Sequence, residues 1–246
     1  MDRELNGRVA FIMGASRGMG RAISLRLAGA GALIAAAARN ADQLDSLKSE
    51  IEAAGGRCRV FVLDVLDYEG LDAALRETEK VLGNITIFYN GVGIAPAGSI
   101  ESLSIEQINH VLDINIKGMI YGTKTAIPYL KKNGGGNIVN VSSMAATRGL
   151  GTAPDYNGIY TATKWALNGF DECMEKYLVN DNIRVSTLCP GSTYTSLWEN
   201  VPLPFPAEEM IPVEYVAEVV EMILRAPDSV VFKQARFCAA VEINNF

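Results

Sequence analysis

A single histidine, His110, stands in 246 residues, which leaves imidazole acid–base schemes and histidine-built metal sites almost without raw material. It falls in an amphipathic stretch and is expected on a helix surface. The four cysteines, Cys58, Cys173, Cys189 and Cys238, are far apart and form no C-x-x-C pair. Neither a zinc site nor a disulfide framework is therefore expected, and no metal is assigned. Positive charge is also short. Lys and Arg number 22 against 28 Asp and Glu, a net charge of −6, which argues against nucleic acid as a partner. The longest apolar run, 27–38, is twelve residues of mostly Ala and Gly, below the roughly 18 that a membrane span needs. The opening Met1-Asp2-Arg3-Glu4 is of mixed charge and leads into a polar Asn6-Gly7 turn rather than an apolar export segment. A cytoplasmic protein with no membrane partner is expected.

What the chain does have is a core. Its composition is 49% hydrophobic and 20% charged, that of an ordinary globular protein. Strand-length apolar runs at 9–13, 33–37, 59–63, 85–89, 137–141, 184–188 and 237–243 alternate with amphipathic helical stretches at 21–28, 42–54, 68–81, 105–130, 160–180 and 213–224. Such alternation predicts an α/β fold, a doubly wound Rossmann-type domain with a seven-stranded parallel sheet flanked by helices. No linker, repeat or low-complexity tract divides it, so residues 1–246 read as one catalytic domain. One long irregular segment, about 191–212, carries Pro202, Pro204, Pro206 and Pro212 beside Trp198 and Phe205. A loop of that length in a compact domain is commonly functional, and it is expected to cover substrate.

Directly after the first strand comes Gly14-Ala15-Ser16-Arg17-Gly18-Met19-Gly20, and a helical pattern follows at once. Glycines let backbone approach a pyrophosphate, and the helix start offers N–H groups and a positive dipole end. The spacing G-x-x-x-G-x-G differs from the commoner G-x-G-x-x-G, so its position in the chain carries the assignment. At the end of the second strand, where an acidic residue would bind a ribose hydroxyl, stand Ala38 and Arg39. Arg39 and Arg17 would pair with a 2′-phosphate, which favours NADP(H) over NAD.

Tyr160 and Lys164 lie at i, i+4 on one helix face. A lysine cation beside a phenol stabilises the phenolate and brings it toward the working pH, so that tyrosine exchanges protons with an alcohol or carbonyl. Ser143 closes the segment Val139-Asn140-Val141-Ser142-Ser143, at the carboxyl edge of a strand where open parallel sheets bind ligands.

These residues resemble the short-chain dehydrogenase/reductase family, whose signature is Y-x-x-x-K. The resemblance covers essentially the whole chain: the glycine turn, Asp64-Val65, Asn90-Gly91-Val92-Gly93, Asn115, Ser143, Tyr160-x-x-x-Lys164 and Pro190-Gly191 with Thr195 occur in the family's order. It implies a catalytic set of Asn115, Ser143, Tyr160 and Lys164. Tyr160 would be the general acid/base. Lys164 would lower its pKa and bind the nicotinamide ribose, Ser143 rather than Ser142 would orient the carbonyl, and Asn115 would hold a relay water. Gly14, Ser16, Arg17, Gly18, Met19, Gly20, Arg39, Asp64, Val65, Asn90, Gly91, Gly93, Pro190, Gly191, Thr193 and Thr195 would line the cofactor. A homodimer or homotetramer is implied through the helices at 105–130 and 160–180.

Three departures stand out. Met13 replaces the threonine usual before the first glycine, and Gly91-Val92 replaces Asn-Ala. Ser143 and Tyr160 are 17 positions apart where about a dozen is common in the family, which places an insertion beside the site at 149–158. Substrate contacts are expected from Ile94, Met144, Tyr156, Tyr194 and Trp198, with Ala95, Asp155, Leu197, Val201, Leu203 and Phe205 nearby. The expected function is an NADP(H)-dependent oxidoreductase interconverting a hydrophobic or aromatic ketone or aldehyde and its alcohol. An isomerase or dehydratase on the same fold, and a non-catalytic NADP-sensing regulator, are the alternatives.

Overall fold

The computed structural model describes residues 4–96, 98–147, 158–198 and 203–244. Seven parallel strands form one sheet in the order β3-β2-β1-β4-β5-β6-β7. They are β1 (Val9–Met13), β2 (Leu33–Ala38), β3 (Arg57–Val62), β4 (Ile85–Asn90), β5 (Gly136–Val141), β6 (Ile183–Pro190) and β7 (Gln234–Phe237). Every residue of β1, β5 and β6 is buried, as expected of strands covered on both faces.

Two hydrophobic clusters sandwich the sheet. One packs α1 (Gly18–Gly29), α2 (Ala41–Ala53) and α7 (Val213–Arg225) through Ile23, Leu27, Leu47 and Val220. The other uses Leu71 and Leu75 of α3 (Tyr68–Val81), Leu130 of α5 (Met119–Lys132) and Leu178 of α6 (Gly158–Leu178). Polar caps start several helices. Asn40 accepts from Gln43 N at 2.9 Å, Asp67 accepts from Gly70 N at 2.9 Å, and Ser104 with Gln107 makes a capping box for α4 (Ile105–Leu112). Strand order reverses between β1 and β4, and the crevice at their carboxyl ends is where such sheets bind ligands.

Three expected elements differ. The stretch 105–130 is not one helix: a π-helical turn, Asp113–Gly118, separates α4 from α5. Its wider coil turns the Asn115 side chain onto Ile94, which accepts and donates through its backbone. The last strand is Gln234–Phe237 rather than 237–243, and Ala240–Asn244 is a 3-10 turn. Pairing with β6 explains the shift. β6 ends at Pro190 opposite Phe237, so nothing beyond that point offers a ladder, and the apolar run leaves the sheet. β3 likewise covers 57–62 rather than 59–63, paired from Leu33↔Arg57 onward.

Candidate active site

The glycine turn leaves β1 at the reversal point. Gly14 (φ +81°) and Gly18 (φ +54°) hold left-handed backbone that side chains disfavour. Gly20 has a steric reason instead, since a Cβ there would fall 2.1 Å from the Gly14 carbonyl oxygen. Among the described residues no side chain caps α1, and its first turn carries no acid. A turn with glycine at its three closest points and a first helical turn without an acidic residue fit a pyrophosphate. The Met13 departure is compensated by backbone: Gly91 N donates to Met13 O at 3.1 Å, and a Cβ on Gly14 would lie 3.2 Å from the Gly91 carbonyl carbon. Gly91 itself is required by Tyr89, whose ring would meet a Cβ at 2.3 Å. The phenol thus fills the volume that a side chain at position 91 would need.

The turn opens onto a cleft of ≈ 560 Å³ whose lining includes Gly14, Ser16, Arg17, Gly18, Met19, Gly20, Arg39, Asp64, Val65, Gly91, Gly93, Ile94, Tyr160, Lys164 and Thr195. At one end Arg39 Nη1 stands 3.9 Å from Asp64 Oδ2, and both groups are solvent-exposed. Asp64 Oδ1 accepts from Leu66 N at 2.9 Å, which fixes the carboxylate. Asn40 and Gln43, at the start of α2, line the same end. Sequence reasoning passed over them, although the Asn40 cap was a usable signal. Asn90 is not in the lining: it is fully buried and donates to Met119 O at 3.0 Å, anchoring the start of α5.

At the other end stands the polar cluster. Lys164 is 3% exposed, and its Nζ donates to Val141 O at 2.9 Å and lies 5.6 Å from the Tyr160 ring centre. Burial pulls its pKa down to about 8, against a partial raise from Cys189 and Asp171. The amine remains mostly an ammonium at neutral pH. It has three protons, and a Cβ on Gly93 would sit 3.3 Å from Nζ, so the β4 loop passes directly over it. Asn115 is fully buried and fully engaged, its oxygen accepting from Ile94 N at 2.8 Å and its amide donating to Ile94 O at 2.9 Å and Thr163 Oγ1 at 3.1 Å.

The two serines separate clearly. Ser142 is buried and donates to Lys164 O at 3.2 Å, tying β5 to α6. Ser143 is partly exposed and its Oγ accepts from Ala145 N at 3.1 Å, capping the 3-10 turn Met144–Ala146. That bond leaves the Ser143 O–H as a donor. Ser142, not Ser143, borders the cleft as outlined by its lining residues.

Pro190 ends β6 and Gly191 follows it, with Gly191 N donating to Phe237 O at 2.8 Å. Thr193 is buried and bridges to Ile211. Thr195 Cβ lies 3.4 Å from the point a Gly18 Cβ would occupy, so this loop reaches the phosphate turn. Of the expected substrate contacts, Ile94 lines the cleft, and so does Leu197. Trp198 instead donates from its indole to Thr193 O at 2.9 Å, Tyr194 is 54% exposed, and Met144 lies in the 3-10 turn. Tyr156, with Asp155 and nearly all of the insertion, lies outside the described residues.

Behind the cluster is Asp171, which the sequence reading did not single out. It lies on the buried face of α6, and its carboxylate accepts from Asn140 Nδ2 at 2.6 Å and Thr187 Oγ1 at 2.7 Å. Burial pushes its pKa up to about 7, with these two hydrogen bonds opposing.

Comparison with known proteins agrees with this geometry. A family model described as short chain dehydrogenase matches residues 8–203. The chain is 36% identical to general stress protein 39 of Bacillus subtilis over 207 residues, covering 83% of this chain and 69% of that protein. It is 34% identical to a 2,5-dichloro-2,5-cyclohexadiene-1,4-diol dehydrogenase of Sphingobium indicum over 203 residues, covering 82% and 79%. An alcohol dehydrogenase from Thermococcus sibiricus, solved with 5-hydroxy-NADP, superposes with a TM-score of 0.84 at 27% identity, covering 95% of this chain and 97% of that one.

Proposed function

The chain belongs to the short-chain dehydrogenase/reductase family of oxidoreductases, and from that premise we propose that it interconverts a hydrophobic or aromatic ketone or aldehyde and its alcohol with NADP(H). The observation that carries this is a buried Lys164 ammonium held by Val141 O beside the Tyr160 ring, at the end of a cleft that begins at a glycine turn. When bound, NADP(H) supplies or accepts the hydride at the carbonyl carbon.

The glycine turn and the α1 N-terminus hold the pyrophosphate, and Arg17 and Arg39 meet the 2′-phosphate. Lys164 uses its remaining protons on the nicotinamide ribose. Ser143, the partly exposed neighbour of the cleft-lining Ser142, would donate its O–H to the substrate carbonyl oxygen and fix its place, because the Ser142 O–H is committed to Lys164 O. In the direction of reduction Tyr160 would give its phenolic proton to the substrate oxygen, and the Lys164 cation would stabilise the phenolate left behind. Asn115 holds the Ile94 backbone and the π turn in place beside the lysine, at the relay to solvent. Cytoplasmic operation as a homodimer or homotetramer completes the proposal.

Screening ketones and aldehydes with NADPH and with NADH tests it, and faster turnover with NADPH is expected. Equal rates would defeat the arginine argument. Tyr160→Phe is expected to abolish turnover, a loss of about 10²-fold or more, while cofactor affinity holds. Unchanged activity would sink the mechanism.

A further inference from the structure

The turn after β7 carries a buried carboxylate that neither cofactor binding nor proton transfer uses. Glu242 is 2% exposed, and its Oε1 accepts from Ser192 N at 2.5 Å and from Ala239 N at 3.3 Å. A buried charge is costly unless donors meet it, and here two backbone segments meet it. Gly191 lies flat against the same group, since a Cβ there would fall 2.4 Å from Oε1 and 2.8 Å from Oε2. Ser192 is the first residue of a connected loop. Ser192 O accepts from Ile211 N at 2.9 Å, Tyr194 N donates to Ile211 O at 3.1 Å, and Thr193 Oγ1 donates to Gly191 O at 3.1 Å. The same loop ends with Thr195 against Gly18. Glu242 does not line the cleft.

We propose that Glu242 is a positioning residue for the nicotinamide end of the cofactor: it fixes the Gly191-Ser192 peptide, and through the buried Thr193 bridge to Ile211 it sets Thr195 against the dinucleotide. This rests on the reading of the cleft as a nicotinamide-dinucleotide site. The consequence is selective. Releasing the loop weakens contacts at the nicotinamide end and leaves the adenosine end, built from α1, α2 and the β3 turn, as it was.

Calorimetric titration of the full chain with NADPH and with 2′,5′-ADP, and in parallel with NADH and ADP, separates the two ends. Glu242→Met keeps the side-chain length but removes the acceptor. It is expected to weaken the dinucleotide about tenfold, the scale of one hydrogen bond to a charged group, and to leave the adenosine fragment unchanged. Glu242→Gln keeps Oε1 and is expected to bind both as the wild type does. Met and Gln behaving alike, or equal weakening of dinucleotide and fragment, overturns the proposal. So does loss of the folded state in the Met variant, which would assign Glu242 to the fold. A wild-type protein that binds neither ligand overturns the cofactor reading and the latch with it, whereas wild-type binding with an unaffected Met variant overturns the latch alone.

Discussion

Asp171 ties together the three elements that carry the chemistry, since it leaves α6 on the same face as Tyr160 and Lys164 and takes donors from β5 and β6. Its burial has a thermodynamic signature. With its pKa raised from 3.8 to about 7, the folded state keeps a proton between those values that the unfolded chain has lost. Stability contributed by this group is full below the unfolded value and lost as pH rises through the folded one. Asp171→Asn removes that slope, so its melting temperature relative to wild type is expected to rise from pH 4 to pH 7. A constant difference would show that the carboxyl does not titrate there. Lys164 acts in the opposite window: lowered from 10.5 to about 8, it adds stability as pH rises between those values. At the adenosine end, Arg39→Ala is expected to reduce the NADPH-over-NADH ratio of kcat/KM by about tenfold, the scale of one charge-assisted contact at an exposed site. An unchanged ratio would remove Arg39 from cofactor choice. The pair Tyr160 and Lys164 was legible in the sequence because helix spacing alone brings them together. Glu242 was not, because its partner Ser192 stands 50 residues away and no local pattern marks a carboxylate that will be buried.

Elements show the same division between local and long-range causes. The glycine turn and most strand positions follow from neighbours in sequence and were legible. The final strand was misplaced because its register belongs to β6, not to its own apolar run. The π turn escaped because the apolar periodicity of 105–130 runs through it, and only its contact with Ile94 gives it a purpose. Asn115 holds that contact with two hydrogen bonds and anchors itself to Thr163 Oγ1 with a third. Asn115→Ala takes the partner from the part-buried Ile94 N–H and C=O, at a cost of about 1–3 kcal/mol. At about 2–4 °C per kcal/mol for a chain of this size, thermal unfolding is expected to shift down by several degrees, with turnover falling as well. A variant that melts with the wild type would show that the π turn stands without the asparagine.

At the scale of the whole molecule, the apolar surface left outside the two core clusters argues for assembly. α4 and α6 pack together and leave Ile105, Trp165 and Tyr177 exposed, while α7 and the approach to β7 expose Tyr215, Met222, Val230 and Val231. Large aromatic and aliphatic groups gathered on helix faces are the composition of protein interfaces, where they carry much of the binding energy. Two separate faces distinguish a dimer, which needs one of them, from a tetramer, which needs both. Light scattering of the wild type is expected to give a multiple of 26.5 kDa. Trp165→Glu, which places a charge on the α6 face without touching the cleft lining, is expected to reduce that multiple, and Met222→Glu tests the α7 face in the same way. A tetramer that Met222→Glu cuts to a dimer and Trp165→Glu cuts to a different dimer assigns one face to each axis. A wild type that scatters as a monomer at micromolar concentration would overturn the assembly and leave both faces to be explained by packing alone.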